Sequence, residues 1–164
     1  MKQLRLLRHA KSSWSDPSLD DHERPLARRG REAATRVGVH LREEQIRPGL
    51  VLCSSAVRTR QTLDLLQLPP KVDVRIEDGL YDADAEVLLD RLGRISDKVQ
   101  SVLLIGHNPA IQDAAISLAG GADALVGKFP TAAMADLQLP IETWAEVRPG
   151  IARLRGVVIA RELR

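Results

Sequence analysis

Apolar and polar positions switch between two periods along the chain, and the switches mark out its elements. Residues 3–8 form a short, mostly apolar run that reads as a buried strand ending on Arg8-His9. Residues 10–25 are polar, with Ser12, Ser13, Trp14, Asp20, Asp21, His22 and Arg24 among them. That is long for a simple connector, and such loops in compact domains tend to carry function. Trp14 is expected to cover the edge of the core rather than stack on a substrate. Over residues 26–45 the spacing turns helical, with Ala33, Ala34, Val37, Val39 and Leu41 as an apolar stripe, until Pro48-Gly49 breaks it. Residues 50–53 are a second buried strand. Ser54-Ser55 then offer hydroxyls to cap a helix reaching about residue 66.

The second half repeats the alternation and then changes character. Residues 72–76 alternate apolar and charged side chains, which predicts a strand with one covered face. A polar stretch at 77–84 leads to a helix at 85–95, and residues 101–105 form a wholly apolar central strand. Asn108-Pro109 opens the next helix, with Asn108 as the cap and Pro109 in the first helical position, and Gly120-Gly121 closes it. Strands follow at 133–139 and about 151–160, with a short piece at 144–147 and turns at Pro140 and Pro149-Gly150. No helix separates these strands, so they should form an antiparallel pair added to a parallel sheet. The expected fold is a three-layer α/β/α sandwich with a mostly parallel sheet and an antiparallel C-terminal addition, as one domain over 1–164.

Composition narrows the function classes. The 164 residues are enough to bury about 70% of the unfolded surface. With 44% hydrophobic but only 2% aromatic residues, the core must be built from Leu, Val, Ile and Ala. The net charge of +2 comes from 24 basic and 22 acidic residues, mixed along the chain. Trp14, Tyr81, Phe129 and Trp144 are scattered, so the clustered basic face with stacking aromatics of a nucleic-acid binder is missing. Cys53 is the only cysteine, which rules out an internal disulfide and fits the cytoplasm; it reads as a small buried hydrophobe, not a nucleophile. Charges interrupt the N-terminal apolar run, so no signal peptide is expected, and no segment approaches the roughly 20 apolar residues of a membrane span.

The candidate chemistry sits at strand ends. In open α/β sheets, ligands bind where the carboxyl ends of the strands meet their loops. Arg8-His9 is delivered to that edge, and Gly106-His107-Asn108-Pro109 makes a second, similar delivery. Taken alone, Arg8-His9 also suits an amphipathic strand edge with a solvated histidine, and His107 a helix-capping one. Arg58 in the first turn of its helix and Arg24 in the long loop add cations. Arginine suits phosphate because its planar fork donates in pairs to two oxygens. The amino end of the helix after Pro109 would point at the same place. Two histidines and two or three arginines at one edge make a phosphate pocket with an imidazole nucleophile. A metal hydrolase would need carboxylates spaced with His9 or His107, which neither has, so no metal and no cofactor are expected. His22 and His40 fit no motif and read as exposed or structural.

The ordered set Leu7-Arg8-His9-Ala10, Arg24-Pro25-Leu26, Ser54-Ser55-Ala56-Val57-Arg58-Thr59-Arg60-Gln61-Thr62 and Gly106-His107-Asn108-Pro109 resembles the histidine phosphatase superfamily, with its phosphoglycerate mutase-like fold. Within it, the small single-domain phosphohistidine phosphatases of the SixA type are most similar. The resemblance implies His9 as nucleophile, Arg8, Arg58 and His107 around the transferred phosphoryl group, and Arg24 as a further contact. Asn108 is a cap first and a phosphate contact second. The surrounding cations should keep His9 uncharged, whereas His107 facing a phosphate dianion should favour imidazolium. The chain departs from the family pattern in having Ala10 where Gly is usual. It also has only Glu77 and Asp78, without a clean motif around them, where many members place a general acid. A weak acid favours a phosphoramidate such as phosphohistidine on a protein partner. Phosphate monoesters, with Glu77 or Asp78 as acid, are the rival, and a non-catalytic phosphate-binding scaffold is the alternative of a different class.

Overall fold

The computed structural model describes residues 1–164, and its strands are β1 (Lys2–Arg8), β2 (Leu50–Ser54), β3 (Asp73–Glu77), β4 (Ser101–Gly106), β5 (Met134–Leu139) and β6 (Arg153–Val158). The helices are α1 (Arg28–Glu43), α2 (Val57–Leu66), α3 (Ala85–Leu92) and α4 (Ala110–Leu118). One sheet holds all six strands in the order β3-β2-β4-β1-β5-β6. β1 through β4 are mutually parallel, whereas β5 runs antiparallel to β1 and β6 antiparallel to β5. This is the α/β fold with an antiparallel addition that the alternation of periods predicts.

Side chains alternate across the sheet and feed two cores. On one face Leu4, Leu6, Leu52, Val102 and Leu104 pack against Leu88 and Leu92 of α3 and Ile111, Ala114 and Leu118 of α4. On the other, Leu7, Val51, Cys53, Leu103 and Ile105 meet Ala34, Val37 and Leu41 of α1 and Leu66 of α2. Trp144 is fully buried in the first core, and its indole N–H donates to Val99 O at 2.8 Å. The same loop solvates a buried cation: Lys2 Nζ donates to the backbone carbonyls Asp97 O at 2.7 Å and Val99 O at 3.1 Å. The piece at 144–147 is thus a 3-10 turn, Trp144–Glu146, closed by a capping box.

The parallel register brings the functional strand ends level. Arg8 lies opposite Gly106 and Ser54 opposite Glu77, so His9, Ser54 and His107 leave the sheet along one edge. The long loop is held to this edge by close backbone packing. A Cβ on Gly30 would fall 2.0 Å from Lys11 O, so only glycine lets α1 seat against the start of the loop. Ala27 N–H donates to the same oxygen at 2.9 Å, and Ser12 and Leu26 form a bridge that closes the loop on itself.

Three sequence expectations shift. The strand predicted at 72–76 is the sheet's edge strand β3, and neither face is covered: Val74 and Ile76 are 42% and 45% exposed. Helix α4 begins one residue later than predicted, with Pro109 in the cap position. Ser54 and Ser55 do not cap α2, whose cap position is Ala56 without a side-chain bond, because β2 extends through Ser54 and leaves both serines outside the helix.

Candidate active site

His9 is pinned by backbone on both sides. Its N–H donates to Gly106 O at 3.0 Å, and its carbonyl accepts from Ala132 N at 3.0 Å. The ring Nδ1 lies 2.7 Å from Ala10 O. A carbonyl oxygen can only accept, so Nδ1 carries the hydrogen and Nε2 keeps its lone pair. The ring therefore has one nucleophilic nitrogen in a fixed orientation. Burial, with Arg58, Arg8 and Arg24 adding to it, pushes the His9 pKa down to about 4, against a smaller upward pull from Ala10 O.

His107 faces His9 with ring centroids 5.2 Å apart. Its Nε2 lies 2.8 Å from Ser54 Oγ, while Nδ1 is buried with no partner. Burial first, then neighbouring His9 and Arg58, push His107 down to about 3. Both imidazoles are neutral in the free site. The expected imidazolium form of His107 therefore depends on the phosphate's own charge. The hydroxyls of Ser54 and Ser55, freed from capping, serve the site instead: Ser55 Oγ lies 2.9 Å from His22 Nε2.

The cations converge through a carboxylate that the motifs did not single out. Arg58, 7% exposed, donates from Nη1 to Asp21 O at 2.7 Å and from Nη2 to Asp21 Oδ2 at 3.0 Å. Arg24 Nη1 donates to Asp21 Oδ1 at 2.8 Å, its Nε to Ser13 O at 3.2 Å, and its Nη2 to Ser12 Oγ. Tyr81 OH donates to Asp21 Oδ2 at 2.5 Å. Tyr81 also stands edge-on to His107, with centroids 5.5 Å apart, and edge-on to His22 at 4.8 Å. The Tyr81 hydroxyl, then Arg58 and Arg24, hold the Asp21 carboxyl well below the ordinary carboxylate range. His22, which the sequence left outside every motif, is part of this rim; His40 lies in the last turn of α1.

Arg8 adds its charge to the field on His9. Its Nη1 donates to Phe129 O at 2.9 Å, and its Nε is buried without a partner. It lines an open pocket of about 380 Å³ together with Asn108, Gln112, Lys128 and Arg161.

The sequence profile of the histidine phosphatase superfamily (branch 1) matches residues 4–117, which include all four motifs. The chain belongs to this family. It is a phosphatase. An uncharacterized protein of Mycobacterium tuberculosis is 38% identical over 162 residues, covering 94% of this chain and all of that protein. An uncharacterized chloroplastic protein of Arabidopsis thaliana is 33% identical, covering 96% of this chain and 77% of its own length. Among solved structures, a candidate phosphohistidine phosphatase SixA from Nakamurella multipartitia superposes with a TM-score of 0.86 at 29% identity, covering 96% of this chain and 95% of that one. The protein histidine phosphatase SixA complexed with tungstate shares the fold, with a TM-score of 0.81 at 22% identity over 99% of each chain.

Not every residue expected in the pocket of this histidine phosphatase points into it. Asn108 turns to α4: its Oδ1 accepts from Gln112 N at 3.2 Å and its Nδ2 donates to Gln112 Oε1 at 3.1 Å. Trp14 does not cover the core. It is 77% exposed, and the Arg24 guanidinium lies 3.2 Å from its ring centroid, so it shields that cation instead. Ala10 is fully buried, and its amide donates to Thr62 Oγ1 at 3.1 Å, so the methyl that replaces the family's usual hydrogen is accommodated. Glu77 is clamped by Arg91, whose Nε and Nη2 donate to its two oxygens at 2.8 and 2.9 Å; that pair lowers the Glu77 pKa. Asp78 is exposed at the start of the next 3-10 turn. The Cys53 thiol is buried and pushed up to about 12 by desolvation. No helix is long and apolar enough to cross a membrane.

Proposed function

We propose that this cytoplasmic chain, as one histidine phosphatase domain, removes the phosphoryl group from phosphohistidine on a protein partner through a phospho-His9 intermediate. The observation that carries the reading is the His9 tautomer: Nδ1–H is committed to Ala10 O, so an unprotonated Nε2 is presented beside Arg8, Arg58 and His107. The Nε2 lone pair attacks phosphorus in line, the P–N bond to the substrate imidazole breaks, and the leaving ring takes a proton from solvent. Water then attacks phospho-His9, the P–Nε2 bond breaks, and inorganic phosphate and a proton are released. Transfer from one imidazole to another exchanges like bonds, so the site's task is placement and stabilisation of the equatorial oxygens. Arg8, Arg58 and His107 supply that stabilisation, with Arg24 as an outer cation, whereas Asn108 is committed to α4.

The acid side of the site supports the phosphoramidate. An alkoxide leaves badly without a proton donor, and Glu77 is held as a carboxylate by Arg91. Incubation with labelled phosphohistidine protein and an alkaline quench is expected to leave acid-labile, base-stable label on the enzyme, and His9→Ala should carry none. Label persisting in His9→Ala would end the proposal. Glu77→Gln is expected to leave phosphohistidine turnover within about twofold of wild type, since the carboxylate takes no part in the step. A selective loss on sugar phosphates would point to monoesters instead.

A further inference from the structure

We infer that Asp21 is the positioning residue of the phosphate cup: its carboxylate bridges Arg24 and Arg58 and holds both guanidinium groups where their charge acts on His9. The inference rests on the phosphoryl-transfer reading above and adds a residue that the motifs do not name. Each of the two arginines gives Asp21 part of its fork, and Arg58 is gripped twice, by the backbone carbonyl and by Oδ2. A guanidinium has five N–H donors, so donors remain on Arg58 for an incoming phosphoryl oxygen after these bonds are made. The carboxylate stays ionised because Tyr81 and both arginines satisfy it, so the bridge persists over the working pH range.

The charge balance gives the bridge a second consequence. Arg8, Arg24 and Arg58 with neutral His9 and His107 would leave three positive charges acting on the site. Asp21 reduces that to two, which matches a phosphoryl dianion. A carboxylate among phosphate-binding arginines could instead be a stand-in anion that substrate must expel. The two roles predict opposite responses. A positioning carboxylate, once neutralised, leaves the forks free, and transfer slows although the cup has become more positive. A competing one, once neutralised, lets phosphate bind more tightly.

The test compares wild type, Asp21→Asn and Tyr81→Phe. Single-turnover phosphorylation of His9 by phosphoramidate, inorganic phosphate affinity by calorimetry, and thermal unfolding are measured for each. For Asp21→Asn the expected result is a fall of about 30-fold in the maximal single-turnover rate, with the half-saturating phosphoramidate concentration within about threefold, and phosphate affinity unchanged or weaker. Tyr81→Phe, which removes one hydrogen bond and no charge, should show the same pattern at about three- to fivefold. A gain of tenfold or more in phosphate affinity would overturn the inference in favour of a competing anion, whether or not the protein turns over. So would an unchanged single-turnover rate. A loss in both variants that follows their unfolding temperatures would mark Asp21 as loop support only. Absence of any His9 phosphorylation in wild type would defeat the proposed function, and the phosphate arm would still decide the role of Asp21.

Discussion

Arg58→Ala is expected to slow phosphorylation of His9 by about 10³-fold, the upper range for deleting one preorganised donor to a developing negative charge. Two features place the effect there. Arg58 is almost fully buried, so its charge is little screened by water, and its fork is held in place by Asp21 before substrate arrives. No reorganisation is then needed as charge moves onto the equatorial oxygens. Arg58→Lys should recover less than a tenth of the loss, because an ammonium cannot bond both the Asp21 carboxylate and the Asp21 carbonyl while offering a flat pair of donors. Rapid-quench measurement of phospho-His9 separates this step from its hydrolysis. A rate within tenfold of wild type in Arg58→Ala would remove Arg58 from the transfer step.

Acid is expected to act on the same histidines twice, through the rate and through the fold. With His9 held down at about 4, kcat/KM should be free of a His9 limb from pH 5 to 8 and then fall tenfold per unit below about pH 4. A midpoint near 6.5 would show that the ring is not desolvated as the structure has it. The stability effect has a definite sign. His9 in the unfolded chain takes up a proton below about 6.5, whereas the folded protein resists it until about 4, so the unfolded state binds more protons in that window. Stability is therefore whole above about pH 6.5 and is lost as pH falls toward 4, by on the order of 3 kcal/mol from His9. His107 acts in the same direction over a window reaching about 3. Urea titrations at pH 7, 5.5 and 4 would read the trend directly, and His9→Gln should flatten part of it.

Periodicity located the parallel strands and the helices between them because their burial is set locally, by which face of each element meets the sheet. The placement of Arg8-His9, Arg58 and His107 at one sheet edge was equally legible, since each lies at or just after a strand end and the strands run parallel. Asp21, Tyr81 and the role of His22 were not. Their contacts join the long loop to the segment after β3, 60 residues apart in the case of Asp21 and Tyr81, and no local pattern encodes that meeting. One clue was available: Asp21 stands three residues before Arg24, a spacing that lets the two side chains pair in a single turn. β3 misled for a related reason, since alternation reports that a strand has two different faces but not whether anything covers either of them. The serine pair misled because Ser54 still belongs to β2, and a cap must sit where the strand has already ended.

The place of Cys53, beneath the sheet edge with its thiol kept protonated, bears on how such an enzyme fares under oxidative stress. Peroxides attack thiolates, and the only sulfhydryl in the chain is neither ionised nor accessible. The work is left to an imidazole, which sulfenic-acid chemistry does not touch. Dephosphorylation here should carry on through a burst of hydrogen peroxide that silences phosphatases built around a reactive cysteine.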